Sequence, residues 1–207
     1  MLHPLMRELS AWTTATVLNL PGWQRQRATA SAPTIAGIAE ATADWLQHTS
    51  GPALLLGHST GAQAALHTAI LAPDRVAALV LVGPTVDPAA RSWPRLIARY
   101  CQPLWREPPT ELVAVRRSIM AGGISPIARV IASALADRPE QLITQLSMPT
   151  MILAGKHDRV ASPTWCRRLA DIGQTRLHML PGGHNSCFPY AAMADQAIRE
   201  AVNHWWV

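Results

Sequence analysis

Long apolar runs are missing from this sequence. The longest are short, as in Val76–Val82, far from the roughly 18 consecutive apolar residues a membrane helix needs. No membrane partner is expected. The N-terminus lacks a basic stretch followed by an apolar one, so no signal peptide is read and a cytoplasmic location is the expectation. Cysteine is scarce. Cys101, Cys166 and Cys187 form no CxxC pair, which argues against a disulfide framework and against a zinc site and leaves free thiols. Internal repeats and low-complexity tracts are absent too. Charged residues make up only 15% against 49% hydrophobic, a balance that excludes a disordered chain. The 207 residues suffice for one domain with a real core.

Lysine is almost absent, and 17 of the 18 basic residues are arginines. The net charge of +5 is concentrated between Arg91 and Arg138, where eight arginines face only Glu107, Glu111 and Asp137. No nucleic-acid module interleaves these arginines with stacking aromatics, so no nucleic-acid partner is expected. Solvated helix faces account for most of such a charge run. The functional alternative is that one or two of the arginines meet an anionic substrate.

The pattern of apolar residues then gives the elements. Helical spacing predicts a helix over Met1–Trp12. The β-branched run Thr14–Leu20 predicts a strand, stopped by Pro21-Gly22. Thr34 is placed to cap a helix through about His48. Ala53–Leu56 and Val76–Val82 read as buried strands, with a helix of small residues, Ala62–Leu71, between them. Strands apolar on both faces and separated by helices indicate a parallel sheet covered on both sides. From Asp87 to Ser147 prolines, tryptophans and arginines dominate. Helical patterns appear there at Trp93–Cys101, Glu111–Met120 and Pro126–Ala136, with no strand. Alternation resumes with a strand at Thr150–Ala154, a helix at Pro163–Ile172, a strand at Arg176–Leu180 and a helix at Tyr190–Trp206. The expected organisation is an α/β core over 1–86 and 148–207, with a helical cap over 87–147.

A serine hydroxyl is a poor nucleophile unless a base takes its proton, a carboxylate orients the base, and donors receive the oxyanion. Ser59 sits in Gly57-His58-Ser59-Thr60-Gly61, between a buried strand and a helix of small residues, the setting of a sharp turn that presents a nucleophile. The Thr60 N–H would then point at the oxyanion. Asp158 follows the strand that ends at Ala154, and His184 follows the last strand. All three fall at the C-terminal ends of strands, where open α/β sheets place their sites. Asp87 is the rival acid, in a poorer turn context. His157 neighbours Asp158 and should point away from it. His178 lies inside a strand, and His58 is expected to line or pack the elbow. Cys187 has no elbow to present it. No metal site is read.

Together Asn19-Leu20-Pro21-Gly22, the segment 57–61, Gly155-Lys156-His157-Asp158 and Gly182-Gly183-His184 resemble the successive landmarks of the α/β-hydrolase superfamily, over nearly the whole chain. The resemblance implies a mostly parallel sheet with helices on both faces, a Ser59-His184-Asp158 triad, a helical cap at 87–147, and no cofactor. It also implies three strands, the third followed by a His-Gly loop, ahead of the first helix, and His3-Pro4 is not such a turn. The sheet is therefore expected to be reduced at its N-terminal side, with Thr14–Leu20 pairing directly with Ala53–Leu56 and the second oxyanion donor missing. A truncated reading frame is one origin of such a chain. The leading function is carboxylesterase-like hydrolysis of a small ester or related acyl compound through an acyl-enzyme. One alternative is a carbon–carbon bond hydrolase whose anionic substrate is held by Arg116 and Arg117, and another is a non-catalytic homologue. Trp93 and Trp105 are candidate acyl-pocket residues, with core packing the plainer account. Trp205 and Trp206 pack on the last helix or at a contact in a homo-oligomer.

Overall fold

In the computed structural model, which describes residues 3–18, 31–101 and 124–205, four strands form one parallel sheet: β1 (Ala53–His58), β2 (Val76–Val82), β3 (Thr150–Gly155) and β4 (Arg176–Leu180), in that spatial order. The helices are α1 (His3–Leu9), α2 (Ile35–Gln47), α3 (Thr60–Leu71), α4 (Trp93–Cys101), α5 (Ile124–Ala136), a single turn α6 (Pro139–Leu142), α7 (Pro163–Gly173) and α8 (Ala191–Trp205). The central strands are apolar throughout because both faces are covered. Leu79 and Leu81 join Ile152, α3 and α7 on one face, while Val80 and Val82 join Leu153 and α8 on the other. A period of two in an all-apolar run thus serves two cores at once.

Local chemistry sets the ends of α2. The Thr34 hydroxyl accepts from the Gly37 N–H at 3.0 Å, satisfying one of the donors left orphaned in the first turn. At the other end Arg75 donates to the Leu46 carbonyl from both Nε, at 3.0 Å, and a terminal nitrogen, at 2.8 Å. A cation on the last carbonyls of a helix is also favoured by its dipole. Arg75 stands one residue before β2, so the contact fixes α2 against the sheet.

The N-terminal helix is held by α8. Leu5 is buried among the α8 alanines, the Trp12 indole N–H donates to Asp195 Oδ1 at 2.7 Å, and the Arg199 guanidinium lies 4.8 Å from the centre of the Trp12 ring. The next stretch departs from expectation. Residues 14–18 form no strand, and 19–20 lie outside the described residues. The expected pairing of Thr14–Leu20 with Ala53–Leu56 is not made by 14–18, and β1 is an edge strand among the described residues. Accordingly β1 is half-buried where β2 and β3 are buried. A β-branched run meets only the side-chain preference for a strand, whereas a strand also needs a partner backbone. Here α1 and Trp12 anchor the preceding residues on α8, over one face of the sheet.

Between β2 and β3 the described residues contain α4, α5 and α6 and no strand. The expected helix Glu111–Met120 lies outside the described residues. Three charged groups order this segment, two through ties within it and one through bonds to α3. Arg99 in α4 donates to Asp87 at 2.6 Å. Arg91 makes two bonds to Glu140, at 2.7 and 2.5 Å. Asp137, just past α5, accepts from Gln63 at 2.8 Å and from His67 at 3.0 Å, both on α3. Among the described residues no helix is long and apolar enough to cross a membrane.

Candidate active site

β1 delivers its last residue, His58, and α3 starts at Thr60, so the chain must reverse through Ser59 alone. Ser59 does this with φ 58° and ψ −123°, a conformation that costs a non-glycine residue on the order of 1–3 kcal/mol. Two things sustain it. The Ser59 N–H donates to the Val82 carbonyl at 2.9 Å, pinning the turn to β2. Gly57 lets the first turn of α3 fold back over the strand, because a Cβ there would run into the backbone of Gly61 and Ala62. Thr60 is the first helical residue, so its N–H has no intrahelical acceptor and lies at the positive end of the α3 dipole.

The carboxylate comes from the turn after β3. Asp158 is buried, and its Oδ1 accepts from the Val160 and Ala161 N–H groups at 2.8 and 2.9 Å. That leaves Oδ2 for His184, whose Nδ1 stands 2.8 Å away. An ionised carboxylate only accepts, so Nδ1 carries the proton and Nε2 presents a lone pair. Nε2 is 2.9 Å from Ser59 Oγ. The histidine loop after β4 is locked onto the acid turn: Lys156 N–H donates to Leu180 O, and His157 N–H to Gly182 O, both at 2.8 Å. Gly155 allows this close approach, since a Cβ there would strike the Gly183 carbonyl.

His58 faces the same loop. Its Nε2 lies 3.0 Å from the His184 carbonyl, which can only accept, so Nε2 carries the proton. The two imidazoles stand 5.1 Å apart, tilted by 41°. Burial and the neighbouring His184 push the His58 pKa down to about 4, so it is neutral at ordinary pH. Among the rivals, Asp87 is occupied elsewhere. It accepts from Arg99, from the Ser162 hydroxyl at 2.7 Å and from the Ala89 N–H at 2.9 Å. Burial opposes ionisation of Asp87, but these bonds from Ser162, Arg99 and Ala89 prevail and hold its pKa below the usual value. His157 is exposed. Cys187 is buried, with its thiol pushed up to about 12 by that burial, which leaves it unreactive as a nucleophile.

The structure brings Ser59, Asp158 and His184 together and sets Thr60 beside them. Trp93 is 40% exposed on α4, so it is not the core residue that the plainer account expects. Trp105, Arg116 and Arg117 lie outside the described residues, as does Trp206, while Trp205 packs against the α8 cluster. Two contacts had no sequence signal: the bond from His58 to the His184 carbonyl, and that from the Trp165 indole N–H to the Pro84 carbonyl at 2.9 Å, which steadies the loop after β2. Each joins residues distant in the chain through a backbone acceptor that any residue type would supply.

A parallel sheet between two helical layers, carrying an elbow serine reached by an imidazole from another strand end, is the α/β-hydrolase architecture, and this protein is an α/β-hydrolase. Within that class it belongs to the family described as serine aminopeptidase, S33, whose family model matches residues 34–184. Among solved structures it is similar to a thermophilic esterase from Thermogutta terrifontis, with a TM-score of 0.80 and 22% identity over 99% of this chain and 85% of that one. It is similar also to NosK from Streptomyces actuosus, with a TM-score of 0.73 and 20% identity over 99% and 91%. A third is the enol-lactonase from Burkholderia xenovorans LB400, with a TM-score of 0.71 and 19% identity over 89% and 79%. No curated protein matched the chain.

Proposed function

We propose that this hydrolase cleaves small carboxylic esters or related acyl compounds through an acyl-enzyme on Ser59. The observation that carries the reading is the continuous chain from Ser59 Oγ to His184 Nε2, 2.9 Å, and from His184 Nδ1 to Asp158 Oδ2, 2.8 Å. In the first step Ser59 Oγ attacks the carbonyl carbon and its proton passes to His184 Nε2. Asp158 stabilises the imidazolium that results, while the Thr60 N–H donates to the oxyanion. His184 then returns the proton to the departing alkoxide. Water, deprotonated by the same nitrogen, frees the acid and restores Ser59. An ester fits this site better than an amide. One oxyanion donor is worth roughly 3 kcal/mol, and an alkoxide leaves with less help than an amine. The segment 87–147 serves as a lid, with the exposed Trp93 of α4 on the acyl side.

The test is labelling by a fluorophosphonate probe together with turnover of a short p-nitrophenyl ester. The wild-type protein is expected to be labelled at Ser59. Ser59→Ala is expected to lose label and to fall in kcat by at least about a thousandfold, the loss typical of a missing nucleophile. A folded wild-type protein with neither label nor turnover ends the proposal.

A further inference from the structure

Resting on that reading, we propose that His58 is a positioning residue: its Nε2–H holds the backbone of His184, and with it the imidazole that serves Ser59. Three observations converge on this residue. Its Nε2 reaches the His184 carbonyl at 3.0 Å, across 126 residues of sequence. Its ring stands 5.1 Å from the His184 ring. It is also the residue immediately before Ser59, at the end of β1. One side chain therefore measures the distance between the nucleophile turn and the loop that carries the base.

The geometry explains why a neutral imidazole suits the place. His184 must hold a lone pair toward Ser59 and accept a positive charge during attack. A cation at position 58 would oppose that charge from one ring away. Burial and the presence of His184 itself keep His58 neutral, with its pKa near 4. The Nε2–H tautomer is then selected by the carbonyl, because an imidazole protonated only on Nδ1 would set a lone pair against that oxygen. Bonds from Lys156 to Leu180 and from His157 to Gly182 fix the base of the histidine loop, while His58 reaches the His184 carbonyl itself. A residue in van der Waals contact but without a donor would fill the space and lose the restraint. Displacements of about 1 Å in such a group cost up to about a hundredfold in rate.

The experiment compares His58→Phe, which keeps a ring and removes the donor, with His58→Gln, which keeps an N–H donor. For each, circular dichroism and thermal melting establish the fold, and kcat and KM are measured with p-nitrophenyl butyrate. In parallel, nitrogen-15 spectra of the wild-type protein report the His58 tautomer, and low-field proton spectra report the His184 Nδ1–H in all three proteins. His58→Phe is expected to lose about ten- to a hundredfold in kcat with KM within about threefold, and to broaden or lose the His184 low-field proton. His58→Gln is expected to recover most of both. Wild-type kcat in a folded His58→Phe, or equal impairment of the two variants, overturns the proposal. So does a wild-type His58 protonated on Nδ1 alone, a result that needs no variant to fold. If the wild-type protein neither labels nor turns over, the ester reading fails separately, and the proton spectra still decide whether His58 positions His184.

Discussion

Each residue of the triad is held by backbone groups as much as by its partners. Asp158 spends one oxygen on the Val160 and Ala161 N–H groups and the other on His184. Asp158→Asn keeps the shape, but with its carbonyl oxygen retained by the Val160 and Ala161 N–H groups its amide N–H₂ faces Nδ1 and donates to it, which favours the wrong imidazole tautomer. A fall in kcat of about ten-thousandfold is expected, with unchanged circular dichroism and a measurable KM. Gly57→Ala tests the elbow in a different way. The added methyl meets the backbone of Gly61 and Ala62 and not a flexible side chain, so the turn must open. The expected outcome is loss of fluorophosphonate labelling accompanied by a fall in melting temperature, read in one sample. These positions were legible in the sequence because a strained turn admits few residue types. His58 was not. Its sequence neighbourhood marks it as part of the elbow, and only the folded arrangement of two strand ends shows which carbonyl it serves.

At the scale of elements, capping is open to measurement. Thr34→Ala removes the bond to the Gly37 N–H and should cost about 1 kcal/mol, a drop of roughly 2–4 °C in melting temperature for a protein of this size, with kcat unaffected because α2 does not carry a reacting group. The bounds of β2, β4 and α4 read from the sequence coincide with those observed, Val76–Val82, Arg176–Leu180 and Trp93–Cys101. Buried parallel strands announce themselves as short apolar runs between breakers. Thr14–Leu20 shows the limit of that signal. Its composition favours a strand, yet residues 14–18 form none, because partnership is a property of the fold and not of the segment. The same limit hid the edge position of β1, whose run of leucines reads like that of a central strand.

Over the whole molecule, acid should loosen the segment between β2 and β3 before it dissolves the sheet. Asp87 and Asp137 tie that segment to Ser162 and to α3, Glu140 ties its two ends together through Arg91, and each has a pKa below its usual value. For all three, burial opposes ionisation and is outweighed by bonds from Ser162 and Arg99, from His67, and from Arg91 respectively. A depressed folded-state pKa means that the unfolded chain binds more protons near the ordinary carboxylate range. The stabilisation is thus complete above about pH 5 and is lost as the pH falls through about 4 and below. Urea unfolding midpoints should decrease over that window, and Arg91→Met together with Arg99→Met should flatten the decrease. Limited proteolysis within 87–147 at pH 4, with the sheet still protected, would be the matching local observation.

Among the described residues β1 is an edge strand, and this has a consequence for isotope exchange. Because the Ser59 N–H points at β2, strand alternation directs the Leu55 and Gly57 amides the same way and those of Leu54, Leu56 and His58 outward. Deuterium uptake along β1 should therefore alternate residue by residue, slow at 55, 57 and 59 and fast at 54, 56 and 58, while β2 and β3 exchange uniformly slowly. The nucleophile would be the last slow amide of a strand that, among the described residues, is hydrogen-bonded along one flank only.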